Sequence, residues 1–132
     1  MKFEEFIGQV QNRLELATQG ETVRASRAIL TTLGERLSAN TAHELAHHLP
    51  MEIDRFLVEA DSGQEFSYRD FVNRVADFEH EEAPDANYDV QLFIAYLTEF
   101  VPSEVIQRIR DELPDEFDRL FEVADREIEA EE

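Results

Sequence analysis

His43-Glu44-Leu45-Ala46-His47 has the letters of a zinc hydrolase. Two histidines one helical turn apart can bind zinc through their ring nitrogens, and the glutamate between them can act as general base on a zinc-bound water. That chemistry has to be weighed against the helix that carries it. Ala42, Leu45, Ala46 and Leu49 form the apolar face of this helix. At 3.6 residues per turn, His43 and His47 sit roughly 130° from the centre of that face, which turns them to solvent. A catalytic zinc needs a shaped, water-poor site. Pro50 ends the helix just beyond His47, and His80 is the only histidine outside the cluster of His43, His47 and His48. No third ligand is therefore evident. The expectation is a solvated helix face, followed by adventitious metal capture, with a catalytic zinc third.

Other constellations give less. Asp54-Arg55 recurs as Asp118-Arg119, either as a paired polar site or as charged surface positions and structural ion pairs beside core residues; the structural alternative is preferred. Asp61, Glu65, Asp85 and Asp89 lack the alternating oxygen ligands, central glycine and final glutamate of a calcium-binding hand, and are expected to be solvated loop acids. Phosphate-binding glycine loops, dinucleotide fingerprints and nucleophile elbows are absent. With no cysteine there is no disulfide, thiol nucleophile or thiolate metal site. Tyr68, Tyr88, Tyr96 and Phe100 fit the apolar periodicity less well than the other aromatics. They are candidates for a groove or a dimer contact, with core filling preferred. No residue is nominated as catalytic, cofactor-binding or metal-binding.

The elements that would position these residues are helices. Phe3, Phe6, Ile7, Val10 and Leu14 share helical spacing, predicting a first helix to about Ala17, broken by Gly20. Val23, Ile29, Leu30, Leu33 and Leu37 predict a second. Thr41 and Glu44 resemble a capping box for a short third, and Pro50 suits the start of a fourth that carries Ile53, Phe56 and Leu57. Ser67 is placed as the cap of a fifth, with Phe66 and Phe71 as a hydrophobic staple. Residues 81–85, with Pro84, form a break before a sixth helix carrying Ala86 to Val101. A short seventh holds Val105, Ile109 and Leu113, and Pro114 opens an eighth with Phe117, Leu120 and Ala124. The prediction is an all-α chain of about eight helices in a single domain over residues 1–125, with an acidic, fraying tail at 126–132.

The halves resemble each other. Leu49-Pro50-Met51-Glu52-Ile53-Asp54-Arg55-Phe56-Leu57 lies opposite Leu113-Pro114-Asp115-Glu116-Phe117-Asp118-Arg119-Leu120-Phe121, and Phe6-Ile7-Gly8-Gln9-Val10 opposite Phe71-Val72-Asn73-Arg74-Val75. This predicts two four-helix repeats, about 2–60 and 66–125, sharing one core. The second half has Gln107, Arg108 and Asp111 where the first has the histidine motif, so that slot tolerates varied polar residues. The two-half plan, the opening Phe-Ile-Gly-Gln-Val and the Leu-Pro step in each half resemble the domain of unknown function family 2267, from about Lys2 to Val123. The resemblance implies a compact all-α fold and no known activity.

Charge is the most unusual feature. Asp and Glu number 31 against 12 basic residues, a net −19, and Lys2 is the only lysine. The acids are spread along the chain, which favours adaptation to a salt-rich cytoplasm over one acidic binding block. At about 1 M salt the Debye length is roughly 3 Å, so such a charge hardly repels itself. Binding to nucleic acid phosphates or an anionic membrane surface is disfavoured. The longest apolar run, Leu92 to Leu97, is far short of the ~20 residues that span a bilayer, and the acidic start is unlike an export signal. These features predict a cytoplasmic, non-enzymatic helical interaction module with a protein partner or a second copy, and no cofactor. The alternative is a small zinc-dependent hydrolase using His43, Glu44 and His47.

Overall fold

The computed structural model describes residues 1–131, excluding the side chain of residue 131. Among these residues every regular element is helical. The α-helices are α1 (Phe3–Arg13), α2 (Gln19–Arg36), α3 (Ala39–Ala46), α4 (Met51–Val58), α5 (Tyr68–Glu79), α6 (Ala83–Thr98), α7 (Ser103–Glu112) and α8 (Glu122–Glu131). A 3-10 segment, Asp115–Phe121, leads into α8. No helix among the described residues is long and apolar enough to cross a membrane. The expected fraying concerns a tail whose last residue lies outside the described part; α8 itself runs to Glu131.

Local signals explain most of the helix starts. Thr18 accepts from the Glu21 N–H at 3.1 Å, Ser38 from Thr41 at 3.3 Å and Ser67 from Asp70 at 3.1 Å. Each side chain satisfies one of the N–H groups that a helix start leaves without an internal partner. The Phe66 and Phe71 rings stack 6.4 Å apart, as a staple requires. Prolines 50, 102 and 114 stand immediately before the elements they introduce.

Five boundaries differ from the sequence expectation. The first helix stops at Arg13, not near Ala17, because Glu15 turns left-handed at φ 54°. Gly20 is not the break; it lies in the first turn of α2, whose start Thr18 sets. The cap of α3 is Ser38, and no Thr41–Glu44 box forms, since the Thr41 hydroxyl and Glu44 both engage α7. Pro84 falls in the first turn of α6, where a missing N–H costs nothing. Pro114 opens a 3-10 segment before the eighth helix.

The core is continuous. α2 packs against α4 and α5, α6 against α5 and α8, and α3 meets α7. Phe6, Ile29, Leu33, Leu45, Leu57, Phe71, Phe93 and Leu120 are almost wholly buried within it. Gly34 lets α2 and α4 approach closely. A Cβ there would strike the Leu57 carbonyl oxygen and sit 2.9 Å from the Ala60 Cβ.

Candidate functional site

The histidine motif borders a cleft of about 730 Å³. Met1 to Glu4 at the start of α1 form one wall. His43, Ala46 and His47 at the end of α3 form a second, and Pro50, Met51, Glu52 and Asp54 around the start of α4 a third. This end of α3 is anchored by Leu45, fully buried, and by Leu49 just beyond the helix, nearly buried and itself part of the cleft lining. His43 and His47 are exposed, as the helical phase predicted. The His43 Nδ1 lies 2.8 Å from the Ala39 carbonyl oxygen. A carbonyl can only accept, so Nδ1–H donates and Nε2 is left to solvent.

The glutamate of the motif is not available to this cleft. Glu44 forms an ion pair with Arg108 of α7, tying α3 to the other half of the chain. Among the described residues no group of three or more His, Cys, Asp or Glu side chains is placed to hold a metal ion. The two histidines and the general base therefore do not converge on one point, which a zinc hydrolase requires. His48 is half-buried and outside the cleft lining, and His80 ends α5 in a left-handed turn.

The cleft has another character instead. Met51 is 81% exposed and Met1 52%, among the most exposed large apolar side chains described. Phe3 adds a half-buried ring. Glu4, Glu52 and Asp54 stand in the same lining, against Lys2 as its only permanently cationic side chain. The lining thus combines exposed apolar side chains with mainly acidic charge.

The remaining candidates disperse. Asp54 faces the cleft but Arg55 is exposed to solvent. In the second pair, Asp118 reaches Arg110 at 3.6 Å, while the Arg119 guanidinium sits 5.2 Å from the Tyr68 ring centre. Asp61, Glu65 and Asp85 are exposed loop or helix-start acids. Of the four unassigned aromatics, Tyr68 and Tyr96 are core residues, and Phe100 packs on Phe6 and Tyr96 at 6.2 and 5.2 Å. Tyr88 is 57% exposed.

Asp89 departs from the loop-acid expectation. It is half-buried on α6 beside Glu81, with Glu79 and Asp85 near. Burial, then the Glu81 charge and hydrogen bond, push its carboxyl up to about 7. Glu79 and Glu81 are raised as well, chiefly by burial, and each has one buried Oε1 with no hydrogen-bond partner. The sequence signal was a run of acids from Glu79 to Asp89 across a tight helix–helix turn; their partial burial was not legible in it.

No curated protein matches this chain. One family model does, over residues 3–120, and its description is "Uncharacterized conserved protein (DUF2267)". The match takes in the cleft from Phe3 of α1 through α4, leaving out Met1 and Lys2, and continues to the last turn of the 3-10 segment. The chain therefore belongs to the DUF2267 family of uncharacterized conserved proteins.

Proposed function

We propose that this chain is a non-enzymatic interaction module, which docks a basic amphipathic helix in the cleft between α1, α3 and α4. The observation that carries the reading is the cleft lining: exposed Met1 and Met51 beside Phe3, rimmed by Glu4, Glu52 and Asp54. Methionine adapts to irregular apolar partners, and helix-in-groove recognition uses apolar anchors one turn apart. A partner bearing Lys or Arg beside those anchors complements both the rim and a net charge of −19. A second copy of the chain brings another −19 and is repelled unless salt screens it, so a basic partner is preferred to a homodimer. The same charge argues against nucleic acid as ligand and for a salt-rich cytoplasm as the setting. The hydrolase alternative rests on the letters of the motif alone.

A labelled synthetic helix with leucines at i, i+3 and i+7 and arginines on its other face provides the probe. Anisotropy should show saturable binding that weakens with salt and falls several-fold in Met51→Gln, with amide shifts confined to the start of α1 and to residues 43–54. A helix of the same pattern with glutamates should not bind. Absence of saturation, or binding indifferent to Met51→Gln, would overturn the reading. So would a salt-stable dimer that shields this cleft.

A further inference from the structure

A second cleft, about 480 Å³, lies between the starts of α5 and α6 and the 3-10 segment, and its electrostatics are the reverse of the first. Arg69, Asn73, Asn87 and Arg119 face it, with Tyr68 and Val72 beside them, and no carboxylate is part of its lining. In a chain with 31 acids and 12 bases that is unexpected. Each of the four other clefts described here has at least one Asp or Glu in its wall. Neither Arg69 nor Arg119 has a carboxylate within ion-pair distance among the described residues; Arg13, Arg74, Arg108 and Arg110 do, while Arg24, Arg27, Arg36, Arg55 and Arg126 do not. Two of the acids near Arg119 in sequence are engaged elsewhere, while Glu122, three residues on, makes no ion pair but is close enough to act on Tyr68. Asp118 pairs with Arg110 at 3.6 Å, and Glu116 accepts the Tyr68 backbone N–H.

The donors are held in place. Gln91, only 5% exposed, donates to the Arg119 carbonyl oxygen at 2.7 Å and fixes the backbone from which that guanidinium projects. The Tyr68 ring, buried in the core, supports the same guanidinium from 5.2 Å. The Tyr68 hydroxyl donates to Asn87 Oδ1. That uses the acceptor end of the Asn87 amide and leaves its NH2 end to point elsewhere. Burial pushes the Tyr68 phenol up to about 12, so it stays a neutral donor at working pH. The cleft thus presents two guanidinium groups and two amides with no acid in its lining. Fork-shaped guanidinium donors suit planar carboxylate and tetrahedral phosphate oxygens.

We propose that this cleft binds a small organic anion: a phosphate or carboxylate group held by Arg69, Arg119 and Asn87, on a flat or apolar body that rests against Val72 and Pro84. The net charge of −19 opposes any anion at long range. At about 0.15 M salt the Debye length is roughly 8 Å, so distant acids are screened while contacts inside the cleft are not.

Phenyl phosphate is the probe, with inorganic phosphate and benzoate in parallel, each titrated into the full chain at about 0.15 M salt. The expected result is 1:1 saturable binding at millimolar concentration or below. Shifts should concentrate on the Asn73 and Asn87 side-chain amides. Affinity should fall about tenfold in Arg119→Gln and in Arg69→Gln, as loss of a charge-assisted pair implies. Arg126→Gln on α8 should bind as the parent does, and melting curves should show all three variants folded. Preference for benzoate or for phenyl phosphate distinguishes the carboxylate from the phosphate source. No saturation with either, equal affinity for inorganic phosphate and phenyl phosphate, or binding unaltered by both cleft substitutions would overturn the proposal.

Discussion

Single residues decide what the chemistry-bearing letters mean. Glu44 has the right spacing for a general base between two histidines, yet Arg108 holds it away from them. The expected solvation of His43 and His47 followed from 3.6-residue periodicity alone; the partner of Glu44 could not, because it lies far along the chain. Asp89 shows the same limit. Its carboxyl rises to about 7 because burial and neighbouring Glu81 both disfavour its charge. The unfolded value is about 3.9, so the folded chain favours the protonated acid. This group's stabilising effect is complete below about pH 4 and is lost as pH rises through about 7. Asp89→Asn should therefore raise the melting temperature at pH 8 and leave it little changed near pH 4, flattening the fall between them. Calorimetry at both values checks this. Gly34 is a third case. A glycine inside a helix, here in the last turn of α2, costs helical stability, so its presence signals a close approach, to Leu57 and Ala60 of the α4 region. Gly34→Ala should lose about 1–3 kcal/mol in denaturant unfolding, although alanine is the better helix former.

At the scale of elements, the apolar spacing revealed all eight helices, while their ends depended on contacts the spacing does not encode. Ser67 and the Phe66–Phe71 staple are local and were legible. The start of α3 is not local. Ser38 caps it, and Glu112 of α7 accepts from the Ser38 N–H at 2.8 Å, the Ser38 hydroxyl at 2.7 Å and the Thr41 hydroxyl at 2.9 Å. Burial raises the Glu112 carboxyl, but these bonds and the Arg36 charge outweigh it and leave the group below its ordinary value. Its stabilising effect is thus present above the unfolded value and lost as pH falls through the folded one. One carboxylate serves as a second cap delivered from the other half of the chain. Ser38→Ala should cost about 1 kcal/mol. Combined with Glu112→Ala, the loss should fall short of the sum by about 0.5 kcal/mol or more, as residues sharing one network do. A double-mutant cycle in urea measures the difference. The matching of the two halves stays a proposal about how the chain arose. The 3-10 segment after Pro114, where α4 follows Pro50 directly, is a visible departure from it.

At the scale of the whole molecule, charge and packing act on different distances. The core joins both halves, and the ion pairs Arg13–Glu99, Glu35–Arg74 and Glu44–Arg108 bridge them at the surface. Exposed pairs of this kind contribute about 0–1 kcal/mol each, too little to offset the self-repulsion of −19 at low salt. The melting temperature should therefore climb between low and molar salt, since screening relieves repulsion more than it weakens three short pairs. A flat profile across that range would return weight to a specific role for the acids. The two clefts were illegible in the sequence because each gathers residues from three separate elements; only their apolar or charged character could have been guessed. The one hydrolase-like motif ties α3 to α7 through Glu44 and leaves His43 and His47 on the wall of the proposed docking cleft. The most direct measurement is the zinc content of protein purified without a histidine tag, beside His47→Ala. Zinc far below one per chain, and equal in both, is expected. One zinc per parent chain, lost in the variant, would contradict it.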